Sequence, residues 1–332
     1  MKNGEWSDVV QVLCSSVLCD NMNIVMILIK EEKVSVTFRN FTAEIGFSQD
    51  FQLVRDFLVR INAKNPLPQY HFEWGRWEWA FSLPFLDTAN QQRIGIWEDG
   101  GEMVALATFE DKLGSAYLCV DASHQALKPE MLAYAREYLC DGDGKIKVLI
   151  NNADRAFQLA AARLGFVPTQ SGEAVVVMDI DAQRIHYTLP PGFTVASLAD
   201  DLDLYKFNRV LWRGFNHEGE PPTTPQDIEE RRVSLSGPHL DHELCIVVVS
   251  PKGEYASYCG MWYDEATEYA LVEPVATDPT YRKMGLGRAA VLEAVRRCGL
   301  RGAKQAYVGS SQQFYYRIGF HPLPAGTFWE TK

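Results

Sequence analysis

The sequence predicts an α/β protein of the α+β kind, built as two tandem domains, each a mixed, mostly antiparallel sheet flanked by helices. Three observations carry that expectation. The chain has 332 residues, enough for two sizeable cores. Its strand-like and helix-like runs come in one order and then again in the same order, at an offset of about 154 to 159 residues. Within each copy three strand-like runs follow one another, joined by short turns such as Pro251-Lys-Gly253, the pattern of antiparallel neighbours.

The first copy opens at Val34-Ser-Val-Thr-Phe38, which alternates as a strand does, and Phe51, Val54, Phe57, Leu58 and Ile61 then repeat at helical spacing. Phe193-Thr-Val-Ala-Ser197 and a helix over Leu202 to Phe215 open the second. Strands are expected near 92–98, 102–109 and 114–120, and again near 243–249, 254–263 and 267–277. Each copy closes with a helix (128–139, 285–298), a short strand (146–150, 304–308), another short helix, and then Leu164-Gly165-Phe166 or Ile318-Gly319-Phe320. Pro190-Pro191 marks a linker near Asp181 to Gly192. The expected division is a leader over 1–32, a first domain over 33–183 and a second over 184–332, the last able to bind its cofactor alone. Val9 to Ile29 is apolar-rich, but Asp20, Asn21 and Asn23 interrupt it, which suits neither a secretory core nor a membrane span. The leader is read as poorly ordered or as an over-called start.

With 47% hydrophobic and 23% charged residues the composition is that of a soluble globular protein. A net charge of −11 argues against nucleic acid or an anionic membrane as partner and favours a small anionic cofactor with a cationic partner. Seven cysteines without a C-x-x-C pair suggest neither a disulfide framework nor a thiolate zinc site, so a reducing, cytoplasmic setting is expected. His239-x-x-His242 lacks a third ligand at matching spacing; it reads as a surface loop, and no metal is expected.

Gly285-Leu286-Gly287-Arg288-Ala289-Ala290 fits the dinucleotide fingerprint G-x-G-x-x-G/A. Its surroundings do not. Seven residues, Asp278 to Met284, separate the preceding strand from Gly285, and no acidic residue ends the next strand about 20 positions on. Read from Arg282, the segment is instead Arg282-x-x-Gly285-x-Gly287, a basic loop opening a helix. Its two glycines let backbone N–H groups approach a pyrophosphate, and Arg282, Lys283, Arg288 and the helix dipole add positive potential.

Together with Val275-Ala-Thr-Asp-Pro279 before it and Phe314-Tyr-Tyr-Arg-Ile-Gly-Phe320 after it, this loop resembles the GNAT superfamily of acyl-CoA-dependent N-acyltransferases. The likeness is close over 184–332 and one of layout over 33–183. It implies acetyl-CoA as co-substrate, held by the backbone of Val275 and Thr277 and by the loop Arg282, Lys283, Gly285, Leu286, Gly287 and Arg288. It also implies that Tyr315 protonates the departing CoA sulfur, a task for which a phenol of pKa about 10 is still protonated at neutral pH. One departure is visible: Gly309-Ser310-Ser311 stands where the family often has an asparagine.

Acetyl transfer to an amine also needs the ammonium to lose a proton. Glu273 lies on the strand leading into the loop, and period-two geometry places it on one face with Val275 and Thr277, as a general base acting directly or through water. Trp212, Phe215, His217 and Glu218 follow the first helix of the second copy, where the resemblance puts the acceptor pocket, and their aromatic faces and carboxylate suit a small-molecule or peptide amine. Cys259 and Cys298 read as core residues, not nucleophiles. In the first copy Lys128 and Glu130 stand where the second has Gly285 and Gly287, and Ala161 stands where it has Tyr315. The first domain is therefore expected to be silent. A non-catalytic acyl-CoA sensor is the alternative reading, separated from an enzyme by turnover.

Overall fold

The computed structural model describes residues 36–44, 46–63 and 72–331, so the expected leader lies outside the described residues. In chain order the elements are β1 (Thr37–Asn40), α1 (Gln49–Ala63), α2 (Trp74–Phe81), β2 (Gly95–Asp99), β3 (Glu102–Thr108), β4 (Ser115–Val120), α3 (Lys128–Tyr138), β5 (Lys147–Asn151), α4 (Arg155–Arg163), β6 (Phe166–Glu173) and β7 (Val176–Asp179). The second copy continues with β8 (Thr194–Ser197), α5 (Leu204–Gly214), α6 (Pro225–Val233), β9 (Ile246–Val249), β10 (Tyr255–Tyr263), β11 (Tyr269–Thr277), α7 (Leu286–Leu300), β12 (Gln305–Val308), α8 (Gln313–Ile318), β13 (His321–Pro322) and β14 (Gly326–Thr331).

Among the described residues two seven-stranded sheets result, in the orders β1-β2-β3-β4-β5-β14-β6 and β13-β7-β12-β11-β10-β9-β8. Pairing is antiparallel except between β4 and β5 and between β11 and β12, where a helix crosses over. The expected boundary at 183/184 does not coincide with the division of the sheets. β14, from the end of the chain, lies between β5 and β6 of the first sheet, while β7 pairs with β12 and β13 in the second. The described residues consequently form one compact unit.

Local chemistry explains the elements that position the site. Asp203 caps α5 by accepting from the Tyr205 and Lys206 N–H groups, and buried Phe207, Val210 and Leu211 hold that helix on the sheet. Alanines 289, 290 and 294 are fully buried on α7, which small side chains allow to lie close beneath β9, β10 and β11. α2 joins the halves: a Cβ on Gly75 would meet the Cβ of Trp262 at 2.5 Å, so only glycine lets the first half pack that closely on β10.

Candidate active site

The site begins with an irregularity in β11. Cys259 pairs with Val275 and Met261 with Val272, so Glu273 and Pro274 together oppose Gly260, a β-bulge. The indole Nε1 of Trp262 donates to the Glu273 carbonyl at 3.2 Å and fixes it. The extra residue shifts the alternation. Ala270, Val272 and Val275 pack with α7, whereas Leu271 faces the first half and Ala276 packs with α5. Glu273 therefore follows Leu271, and both line one cavity. The common face expected for Glu273, Val275 and Thr277 does not exist, because the bulge breaks the period of two.

Glu273 stands between two cavities. One, of about 450 Å³, is polar and includes Arg76, Glu110, Glu173, Leu271 and the Gly309–Ser311 segment. Arg76 donates to both Glu110 and Glu173, and the Tyr117 hydroxyl donates to Glu173 at 2.7 Å. Burial pushes Glu173 up, but the bonds from Arg76 and Tyr117 prevail and hold its carboxyl below the usual range. The other cavity, of about 470 Å³, is apolar, with Trp79, Phe85, Phe207, Phe215, Tyr258 and Trp262 in its wall. Burial raises the Glu273 carboxyl to about 7; Arg76 opposes that shift and Glu110 adds to it.

Beyond β11 the chain turns through Asp278, which is fully buried, accepts from the Thr280 N–H at 2.8 Å and receives the Arg213 Nε at 2.7 Å. Lys283 (φ 64°) and Gly285 (φ 83°) are left-handed, and α7 starts at Leu286 with its first N–H groups facing out of the helix end. The glycines serve different ends. Gly285 supplies the conformation, whereas a Cβ on Gly287 would stand 2.8 Å from the Thr277 Oγ1. Lys283 and Arg288 are exposed and Leu286 is buried under the helix. Arg282 is occupied: its guanidinium donates to the carbonyls of Thr277 (3.1 Å) and Gly214 (2.8 Å), tying the loop to β11 and α5.

Parallel pairing joins Tyr269–Leu271 to Gln305–Tyr307 and stops there. Among the described strands, from Glu273 onward β11 has only β10 beside it. Tyr315, on α8, is buried between Phe314 and Phe320, with ring centroids at 5.0 and 5.6 Å. Burial, with Cys259 and Glu273 nearby, pushes its phenol far above its ordinary value, so it keeps its proton. Burial likewise raises the Cys259 and Cys298 thiols, the latter to about 12, and neither offers a thiolate near neutrality.

Of the expected acceptor residues, Phe215 and His217 line the apolar cavity. Trp212 stacks on His217 at 4.5 Å and donates to the Gly219 carbonyl, while Glu218 is exposed and lines neither cavity. Arg76, Trp79 and Phe85 from the first half and Arg231 from α6 also line these cavities, with no local signal in the sequence to mark them. His239, expected in a surface loop, is instead held from within: its backbone N–H and Nδ1 bond to Glu78, whose side chain is fully buried on α2. In the first half the position of the glycine loop is filled from within. Lys128 pairs with Asp154 and lies 4.9 Å from the Phe157 ring, and Glu130 accepts from the Trp97 indole at 2.7 Å. The cavity between β4 and β5 holds about 20 Å³.

The pattern of the Acetyltransferase (GNAT) family matches residues 204–320, which contain the bulge, the glycine loop and Tyr315. Residues 204–320 are a GNAT acetyltransferase domain. The chain is thus an acyltransferase. Among solved structures the chain is similar to a tandem GNAT protein from the clavulanic acid biosynthesis pathway, solved without AcCoA (14% identity over 90% of this chain and 98% of that one, TM-score 0.58). It is also similar to an acetyltransferase of the GNAT family from Colwellia psychrerythraea (12%, 89% and 100%, 0.55) and a GCN5-related N-acetyltransferase from Sphaerobacter thermophilus (16%, 89% and 95%, 0.54). At these identities the likeness is one of fold, and it takes in both halves. No curated protein sequence matches the chain. Among the described residues no helix is long and apolar enough to cross a membrane.

Proposed function

We propose that the protein is an N-acetyltransferase that moves the acetyl group of acetyl-CoA to a primary amine by direct attack. The observation that carries this reading is the placement of Glu273: a carboxyl raised to about 7, on a bulge between two cavities, beside the point where β11 and β12 part. Such a group is half ionised near neutrality and takes the proton of an arriving ammonium. The parted strands offer the pantetheine arm the free edge of β11 at Val275 and Thr277. Lys283, Arg288 and the opening N–H groups of α7, with the turn at Gly285, Leu286 and Gly287, hold the pyrophosphate; Arg282 shapes that loop from behind. Tyr315 donates to the departing sulfur. Because its pKa lies above that of a thiol, about 8.5, it stabilises the thiolate chiefly through a hydrogen bond.

The first half, on this reading, is a degenerate copy that binds no CoA and walls the acceptor site with Arg76, Trp79 and Phe85. The internal ion pair of Lys128, the bond from Trp97 to Glu130 and the small cavity beside β4 support that assignment. Incubating the full chain with acetyl-CoA and a library of amines, with free CoA and acetylated product measured together, tests the function. Product formation supports it; saturable acetyl-CoA binding without product under every amine favours the sensor.

A further inference from the structure

The apolar cavity has one feature that acetyl transfer by itself does not require. Arg231, on α6, lines it; its Nε donates to the Asn208 Oδ1 at 2.7 Å, and Asn208 in turn donates to the Pro222 carbonyl at 2.7 Å. The terminal nitrogens of Arg231 have no hydrogen-bond partner among the described residues, and no carboxylate there comes within ion-pair distance of it, although most arginines of this chain are paired. A guanidinium oriented at one edge, half-buried in an aromatic wall and without an ion pair, Glu230 and Asp227 acting on it only from beyond that distance, is a fork suited to a carboxylate. On the same cavity, Glu273 marks where an amine reacts, and Trp79, Phe207, Phe215 and Trp262 supply the apolar surface.

We propose that the acceptor is an amine with an apolar body and an acidic group, the amine directed to Glu273, the body held in the aromatic cavity and the carboxylate bound by Arg231. This rests on the acetyl-transfer reading above and adds the substrate class. Charge selection is the consequence. An uncharged analogue leaves Arg231 without its anion, and a charged hydrogen bond contributes enough to separate the two by roughly 10- to 100-fold.

The test uses the full chain and two matched pairs, phenylalanine and para-(aminomethyl)benzoate, each beside its carboxamide. Turnover is measured with acetyl-CoA, and binding to the chain without acetyl-CoA by calorimetry. At least one acid is expected to exceed its amide by roughly 10- to 100-fold in kcat/KM, through a lower KM, and to bind correspondingly tighter. In Arg231→Gln that acid-to-amide ratio collapses toward one, and Arg231→Lys restores part of it. If amides are acetylated as well as their acids, the carboxylate assignment falls while acetyl transfer stands. If nothing is acetylated but an acid still binds tighter than its amide, Arg231 keeps its role and the transfer reading falls. Neither acid binding better than its amide overturns the proposal.

Discussion

The carbonyl of Glu273 lies so close to Gly260 that a Cβ on residue 260 would stand 2.6 Å from its oxygen. Gly260→Ala must therefore push β10 and β11 apart at the bulge that aims the Glu273 carboxyl. We expect a loss of about 1–3 kcal/mol in stability, the usual size of an overpacking change, with kcat reduced and acetyl-CoA affinity retained. Urea melts together with steady-state kinetics check both halves of the expectation; an unchanged kcat would show that the bulge does not orient the base.

Tyr315→Phe keeps the ring between Phe314 and Phe320 and removes only the hydroxyl. The expected outcome is a kcat lower by roughly 10²-fold with acetyl-CoA affinity unchanged, as the proposed donation to the departing sulfur requires. Turnover at the wild-type rate would leave that sulfur to solvent or to Tyr316.

Gly287→Glu places a side chain and a negative charge where the pyrophosphate is to approach, and its Cβ crowds the Thr277 Oγ1. Calorimetry is expected to find one acetyl-CoA per wild-type chain and none in this variant. A stoichiometry of two would mean that the first half binds CoA despite Glu130 and the ion pair of Lys128.

Deleting residues 326–331 removes β14 from between β5 and β6, leaving β5 paired only with β4 and the edge strand β6 without a partner. Rapid hydrogen exchange at amides 147–151 and a tendency to aggregate are expected, whereas a cut between two self-sufficient domains would leave those amides protected. The same exchange of strands predicts that residues 184–332 made alone do not fold, because β7 is missing from their sheet.

The repeat, the helices at α1, α5 and α7 and the glycine loop were legible because each has a local signal: period, cap or left-handed glycine. The repeat even extends to partners, since Arg60 meets Asp121 in the first half as Arg213 meets Asp278 in the second. α6 had a signal that the reading passed over, Thr224-Pro225 with Asp227 three residues after the cap, which forms a capping box. α2 had none. Trp74, Gly75, Trp77, Glu78 and Ala80 are all buried there, so it lacks the polar face that marks a surface helix. The exchange of β7 and β14 was invisible for another reason: alternation identifies a strand but not its neighbour. The wall that the first half gives to the two cavities beside Glu273 was hidden with it.

Acetyl transfer by direct attack requires Glu273 as the base, and a pH profile with its amide variant tests that role. Folding favours the neutral carboxyl, since its pKa rises from 4.5 to about 7, so stability from this group falls as pH rises through that window, and Glu273→Gln should be no less stable than wild type at about pH 8. Activity has the opposite sign, because only the carboxylate accepts a proton. Once a substrate amine is in hand, wild-type kcat at saturating acetyl-CoA and amine should fall about tenfold per unit below pH ~7 and level off above it, and Glu273→Gln should lie roughly 10²- to 10⁴-fold lower without that break. A folded Glu273→Gln variant that turns over at the wild-type rate, with the same profile, would contradict it.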